Sequence, residues 1–204
     1  MSYLPLNYKT GILYLRNKDI REYDIQSGGY NVTIAEKLID DESLIKQLRI
    51  ANKHERQVLL GLYARDTPGY SKALNEAFRK YVTAFVELND VRRERVLFIK
   101  KDSVTLFDSP ISRFKFKNVL FTERGRFTSY LKIKNLEFYI GKHVRDDLIK
   151  GITLPDYSDT LIEEIFKIMR LAEFNDSKFI SKYLTELRQN YVNKVLANSY
   201  YREL

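Results

Sequence analysis

Leu74, Phe78, Tyr81, Phe85 and Leu88 recur at steps of four, three, four and three, a spacing that places all five on one side of an α-helix. Such a stripe has to be covered, so the helix is expected to lie on a sheet or on another helix. The runs around it set the rest of the fold. Upstream, Gly11 and the apolar segment Ile12-Leu13-Tyr14-Leu15 lead into Asn17-Lys18-Asp19, which predicts a short strand and a turn, with 20–25 as the hairpin partner. After Gly28-Gly29 the apolar spacing becomes helical over 32–39, 44–50 and 58–64, until Thr67-Pro68-Gly69 interrupts it. Downstream, 96–99 and 103–107 read as strands, and 114–140 as two or three more.

The last third is patterned for helices. Tyr157, Leu161, Ile165, Ile168 and Ala172 form one stripe and Ile180, Leu184, Leu187, Tyr191 and Val195 another, with Asp176 or Ser177 as the cap between them. The expectation is an α+β fold with a central antiparallel sheet and helices on one side. Residues 1–150 form the main domain, and 151–204 a helical extension of two antiparallel helices packed on it. No repeat, low-complexity tract or Pro-, Gly- or Ser-rich linker divides the chain.

The absence of cysteine removes disulfides, thiolate metal sites and Cys nucleophiles from consideration and suits a reducing compartment. No stretch approaches the roughly 18 uninterrupted apolar residues that a membrane span requires, and the start of the chain lacks a signal-peptide pattern. The cytoplasm is therefore expected, with no membrane partner. A composition heavy in Lys, Ile, Asn and Tyr, with little Ala or Gly, suits an AT-rich genome and is compatible with a phage; for a viral chain the compartment is the host cytoplasm.

Thirty-five Lys and Arg stand against 27 Asp and Glu, and the surplus is local. Between Ile111 and Lys142 lie eight basic residues (Arg113, Lys115, Lys117, Arg124, Arg126, Lys132, Lys134, Lys142) and two acidic ones, Glu123 and Glu137. Arg113-Phe114-Lys115-Phe116-Lys117 alternates with period two, which would put three cations on one face of a strand and two aromatics on the other. Cations on a sheet can track phosphates while an exposed ring stacks on bases. Most of the segment's aromatics belong to a core, and Tyr130 is the candidate for the exposed ring. Arg92, Arg93, Arg95, Lys100 and Lys101 could extend the surface. The plainer alternative is a solvated cationic sheet. The expected partner is DNA or RNA.

Two carboxylates sit where chemistry could use them. In Tyr23-Asp24-Ile25-Gln26-Ser27-Gly28-Gly29-Tyr30, an Asp ends a strand and a Ser begins the turn into a helix; the structural alternative is that Asp24 or Ser27 caps that helix. In 96–107, two apolar strands meet at Lys100-Lys101-Asp102-Ser103, a hairpin tip that presents Asp102. Between them, Arg56-Gln57-Val58-Leu59-Leu60-Gly61-Leu62-Tyr63-Ala64 carries a basic residue and a Tyr on one helix.

These segments, in this order, resemble motifs A, B and C in the palm of template-directed polymerases, most nearly the family B DNA polymerases that many viruses encode. Asp24 and Ser27 match motif A, Arg56 and Tyr63 the middle helix, and Asp102-Ser103 the second half of motif C. The resemblance covers residues 20–107. It implies a palm-like main domain in which Asp24 and Asp102 are the catalytic, metal-binding pair, with Mg²⁺ as cofactor if catalysis survives. Two such ions clamp the attacking and leaving oxygens in phosphoryl transfer. It further implies that Arg56, Tyr63, Lys100 and Lys101 bind nucleotide; the basic segment, by its own charge and alternation, offers Arg113, Lys115, Lys117, Arg124, Arg126, Lys132, Lys134 and Tyr130 to hold nucleic acid. Three departures are plain in the residues. Lys100 stands where the family has the first Asp of motif C, Leu60 replaces the Asn of the middle helix, and Gly29 stands where motif A has a bulky Tyr.

His54 and His143 have no motif partner, and there is no Walker A, Gly-x-Gly-x-x-Gly or Gly-x-Ser-x-Gly sequence. The expected function is nucleic-acid binding by a reduced relative of a polymerase palm, with residual nucleotidyl transfer if the carboxylates still act. The alternative is a non-enzymatic viral regulator that binds a host or viral replication or transcription protein.

Overall fold

A computed structural model describes residues 12–133, 136–151 and 159–174, together with 181, 182 and 185. In chain order its elements are β1 (Ile12–Leu15), β2 (Ile20–Ile25), α1 (Gly28–Ala35), α2 (Glu42–Ile50), α3 (Lys53–Asp66), α4 (Tyr70–Leu88), β3 (Val96–Lys100), β4 (Ser103–Phe107), β5 (Lys115–Phe116), β6 (Val119–Ile133), β7 (Leu136–Gly141), β8 (Leu148–Lys150) and α5 (Asp159–Glu173). The fold is mixed α+β, with eight strands among the described residues, and the pairs β1–β6, β3–β4, β5–β6, β6–β7 and β7–β8 are antiparallel. The chain divides into two compact units. One is Arg21–Gly125; the described residues of the other run from 12 to 20 and from 126 onward.

In the first unit the strand order is β3–β4–β2–β6, with β5 paired to β6. Alternate residues of each strand, Tyr23 and Ile25, Val104 and Leu106, Val119 and Phe121, face a common core, as the period of two requires. The predicted helix covers them. Its stripe is wider than the five sequence positions, because Ala77, Val82 and Val86 are buried beside Phe78, Tyr81 and Phe85. Phe85 stacks on Phe121 at a centroid separation of 4.1 Å. Burying a side chain of this size stabilises by about 1.5–3 kcal/mol. Gly69, at φ 90°, occupies the left-handed conformation that starts α4.

Local chemistry starts the other helices. Asp41 accepts from the backbone N–H groups of Ser43 and Leu44 at the head of α2. Asn52 and Glu55 form a reciprocal capping box at the head of α3. Ser27 precedes α1 in a left-handed conformation and its side chain caps nothing, so the capping alternative does not account for it.

In the second unit β6 carries β1 on one side and β7 on the other, and β8 pairs with β7. Here the expected β1–β2 hairpin is corrected. β1 pairs with β6, Ile12 opposite Ile133 and Leu15 opposite Tyr130. Asn17 does take a positive φ of 51°, but Lys18 then donates its N–H to Thr128 O and Arg126 holds Asp19 at 2.9 Å. The chain is thus kept on β6 instead of reversing. α5 packs Met169, Ile162, Ile165 and Phe166 against Leu136, Phe138 and Ile140. That face is rotated from the expected stripe, because Phe166 and Met169 offer more apolar surface than Ile168 and Ala172. Of the second C-terminal helix, Ser181, Lys182 and Thr185 are described and are helical; its apolar stripe, its cap and Tyr157 lie outside the described residues. Among those residues, no helix is long and apolar enough to cross a membrane.

Candidate functional site

Asp24, Asp102 and Arg56, far apart in sequence, line one cleft of about 180 Å³ in the Arg21–Gly125 unit, together with Lys53 and Arg124. The period of two along β2 explains Asp24: Tyr23 and Ile25 point into the core, so the residue between them points away. Asp102 sits at the tip of the β3–β4 hairpin, where Lys100 pairs with Ser103 and Lys101 adopts a φ of 48° to turn the chain. Its carbonyl accepts the N–H of Ile25 at 3.0 Å, which ties the tip to the end of β2. Its carboxylate lies against the start of α1. A Cβ built on Gly28 would fall 2.5 Å from Asp102 Oδ2, so only glycine leaves the carboxylate where it is.

Arg124 comes from β6. Its Nε donates to Asp24 Oδ2 at 3.2 Å, with the Asp24 side chain 23% exposed and that of Arg124 50%. Burial raises the Asp24 carboxyl above its ordinary value, the neighbouring charge of Asp102 raises it further, and Arg124 opposes both. Across the cleft, Arg56 is held at the end of α2: Nε donates to Leu48 O at 2.8 Å and Nη2 to Arg49 O at 3.3 Å, while the guanidinium lies 4.1 Å from the centre of the Tyr30 ring. These carbonyls belong to the last turn of α2, which a cation complements.

The other expected site residues are elsewhere. Tyr63 turns to the small core around Leu48 and Leu60 and meets Tyr70 edge-on at 5.1 Å. Lys100 lies over the Phe98 ring at 4.6 Å, and Lys101 is exposed; none of these three lines the cleft. Arg113 and Lys115 are exposed, and Lys117 is exposed with Glu36 at 3.6 Å. Of the alternating pair, Phe116 packs on the core and Phe114 is 37% exposed. In the second unit Arg126 pairs with Asp19, and Lys132 is half-buried. Tyr130, expected as an exposed stacking ring, is instead fully buried and packs edge-on against Tyr139 at 5.0 Å; it is core. Lys134 lies outside the described residues.

Lys53, Gln57 and Leu60 were missed as cleft residues. The signal for them was present, because 53, 56, 57 and 60 share one face of a helix and Arg56 had already been singled out.

The donor set decides what chemistry is open to the cleft. Mg²⁺ demands near-octahedral oxygen ligands, from one or two carboxylates and the phosphates of a substrate, and two-ion transfer needs two such ions side by side. The cleft supplies two carboxylates, one of them already engaged by Arg124. Among the described residues, no group of three or more His, Cys, Asp or Glu side chains is arranged to hold a metal. These residues do not fit a two-ion centre. With three cations against two carboxylates, they fit an anion.

The family model described as Bacteriophage PBS1 gene 130 protein matches residues 2–204, and the chain belongs to that family. No curated protein matches it.

Proposed function

For this member of a phage protein family, we propose that the molecule binds nucleic acid as a reduced relative of a polymerase palm in which phosphoryl transfer has been lost. One observation carries the reading: the residues matching motifs A, B and C, Asp24, Arg56 and Asp102, line the same cleft, although 32 residues separate the first two and 46 the last two. Chance matches to three short motifs would not be expected to converge. The exposed cations Arg113 and Lys115 add charge for the phosphate backbone. The loss of transfer follows from the donor set, in which a lysine replaces one motif C carboxylate and an arginine engages the motif A carboxylate.

The test is equilibrium binding of labelled single- and double-stranded DNA and RNA at low salt, with a parallel primer-extension reaction containing Mg²⁺ and nucleoside triphosphates. Binding without extension is expected. Extension that disappears in Asp24→Ala or Asp102→Ala would restore a catalytic reading. No binding to any of the four nucleic acids would overturn the proposal and leave a replication or transcription protein as the partner of the cationic surface.

A further inference from the structure

We propose that Arg124 stands in this cleft where a metal ion would stand, so that the cleft grips a phosphate group of a nucleotide or of a nucleic-acid strand with no metal bound. The inference deepens the palm-like reading and rests on it.

The argument starts from charge. Two divalent ions on two carboxylates neutralise them and leave positive charge for a phosphate; here the guanidinium on Asp24 Oδ2 neutralises one carboxylate, and Lys53 and Arg56 offset Asp102 and leave one positive charge over. Arginine suits the place because its planar fork carries five donors and stays ionised. With Nε given to Asp24, the two terminal nitrogens can meet two phosphate oxygens at once. Arg56 is pre-positioned by the carbonyls of Leu48 and Arg49, so it does not have to be ordered when the ligand arrives. Lys53 is exposed and has no ion-pair partner among the described residues.

A second substitution agrees with the first. Lys100, at the position the resemblance gives to a metal-binding Asp, brings a positive charge to the same hairpin, its Nζ resting over Phe98. One carboxylate has become a cation and another has acquired one. The size of the cleft limits the ligand, since about 180 Å³ is below the roughly 300–1,000 Å³ of sites that enclose a whole small molecule. A phosphate group enters and the rest of its nucleotide or strand remains outside.

The experiment uses the full chain, a fluorescent nucleoside triphosphate and a labelled single-stranded DNA, each titrated in EDTA and in Mg²⁺. For the unaltered protein the two conditions should agree within about twofold, because no ion takes part. Arg124→Gln should lose about tenfold or more in EDTA, the usual cost of a charge-assisted contact, and regain binding when Mn²⁺ or Mg²⁺ fills the vacated place. Mn²⁺ paramagnetic resonance should then register an ion bound to Arg124→Gln and none bound to the parent. Arg124 is half exposed, and circular dichroism checks that the variant folds; Lys53→Gln provides an independent variant on another element. Which probe binds identifies the source of the phosphate. A parent protein that needs Mg²⁺, or an Arg124→Gln protein that loses binding and does not recover it with a divalent ion, overturns metal replacement and leaves the nucleic-acid reading standing. Strand binding indifferent to both substitutions moves the phosphate site away from the cleft and overturns the inference alone. No binding of either probe under any condition removes the nucleic-acid reading as well.

Discussion

Gly28 controls how near Asp102 can come to the head of α1. Its missing side chain would have to occupy space within 2.5 Å of Asp102 Oδ2 and 3.2 Å of Asp102 Cβ. Because those atoms belong to a side chain at a hairpin tip, Gly28→Ala should leave the fold intact and cost about 1 kcal/mol, at the low end of overpacking. In an Asp102→Ala background the nearest atom is gone, and most of that cost should vanish. A double-mutant cycle by urea denaturation measures the coupling, expected at about 0.5–1 kcal/mol; additive effects would mean that the carboxylate does not rest there. The cleft was partly legible at this scale. Asp24, Arg56 and Asp102 could be picked out because a strand end, a helix and a hairpin tip each have a local signature. Arg124 was read only as a backbone cation, since its bond to Asp24 depends on β6 lying beside β2, a pairing between segments about 100 residues apart that no local pattern encodes. Tyr63 and Tyr130 were misplaced for another reason: a tyrosine has an apolar body and a polar tip, so its spacing alone does not say which environment it enters.

Glu36 joins three elements. It follows α1 as its C-terminal cap residue, accepts from Lys80 Nζ at 2.7 Å and Tyr81 OH at 2.9 Å on α4, and has Lys117, which follows β5, at 3.6 Å. The hydrogen bond from Lys80, with that from Tyr81 and the charges of Lys80 and Lys117, lowers the carboxyl against the opposing effect of burial. A lowered carboxyl contributes stability that is present above the ordinary carboxylate range and lost as pH falls through the depressed value. Tyr81 gives the alkaline limit. Burial, and then the bond to Glu36, raise its hydroxyl to about 12, so its contribution is whole below the ordinary tyrosine value and disappears as pH rises through about 12. Glu36→Gln should therefore lower stability by about 1–2 kcal/mol near neutrality, and the difference from the parent should shrink on acidification. Chemical denaturation between pH 3 and 8 checks this, and a constant difference would rule the network out. Among elements, the α4 stripe was legible because its period runs unbroken along a long helix, and the β3–β4 hairpin because two short apolar runs flank a charged tip. The β1–β2 hairpin was not, since Asn17-Lys18-Asp19 has turn chemistry whether or not the chain reverses there, and the pairing with β6 is decided by contacts such as Lys18 N–H to Thr128 O.

At the scale of the whole molecule, a net charge of +8 is a difference of totals and does not say which cations a polyanion can meet, since several are already held by carboxylates. Lys117 is near Glu36, Arg124 holds Asp24, Arg126 holds Asp19 and Arg95 holds Asp108. Lys53, Arg113 and Lys115 form no ion pair among the described residues, and Arg56 is engaged by two carbonyls and the Tyr30 ring and by no carboxylate among those residues. If these four meet phosphates of a single strand, each contributes about −0.7 to the slope of log affinity against log salt, for a total of about −3, while Arg124, its charge offset by Asp24, adds a phosphate contact without adding to the slope. A molecule that used its whole surplus would give a slope nearer −6 by the same rule. Arg113→Ala and Lys115→Ala should each flatten the slope by about 0.7 while lowering affinity on every sequence alike. Salt-series titrations of single-stranded DNA distinguish these cases. A slope near zero, with binding intact, would mean that apolar contact and not phosphate holds the strand, and the cationic residues would then be an ordinary solvated surface.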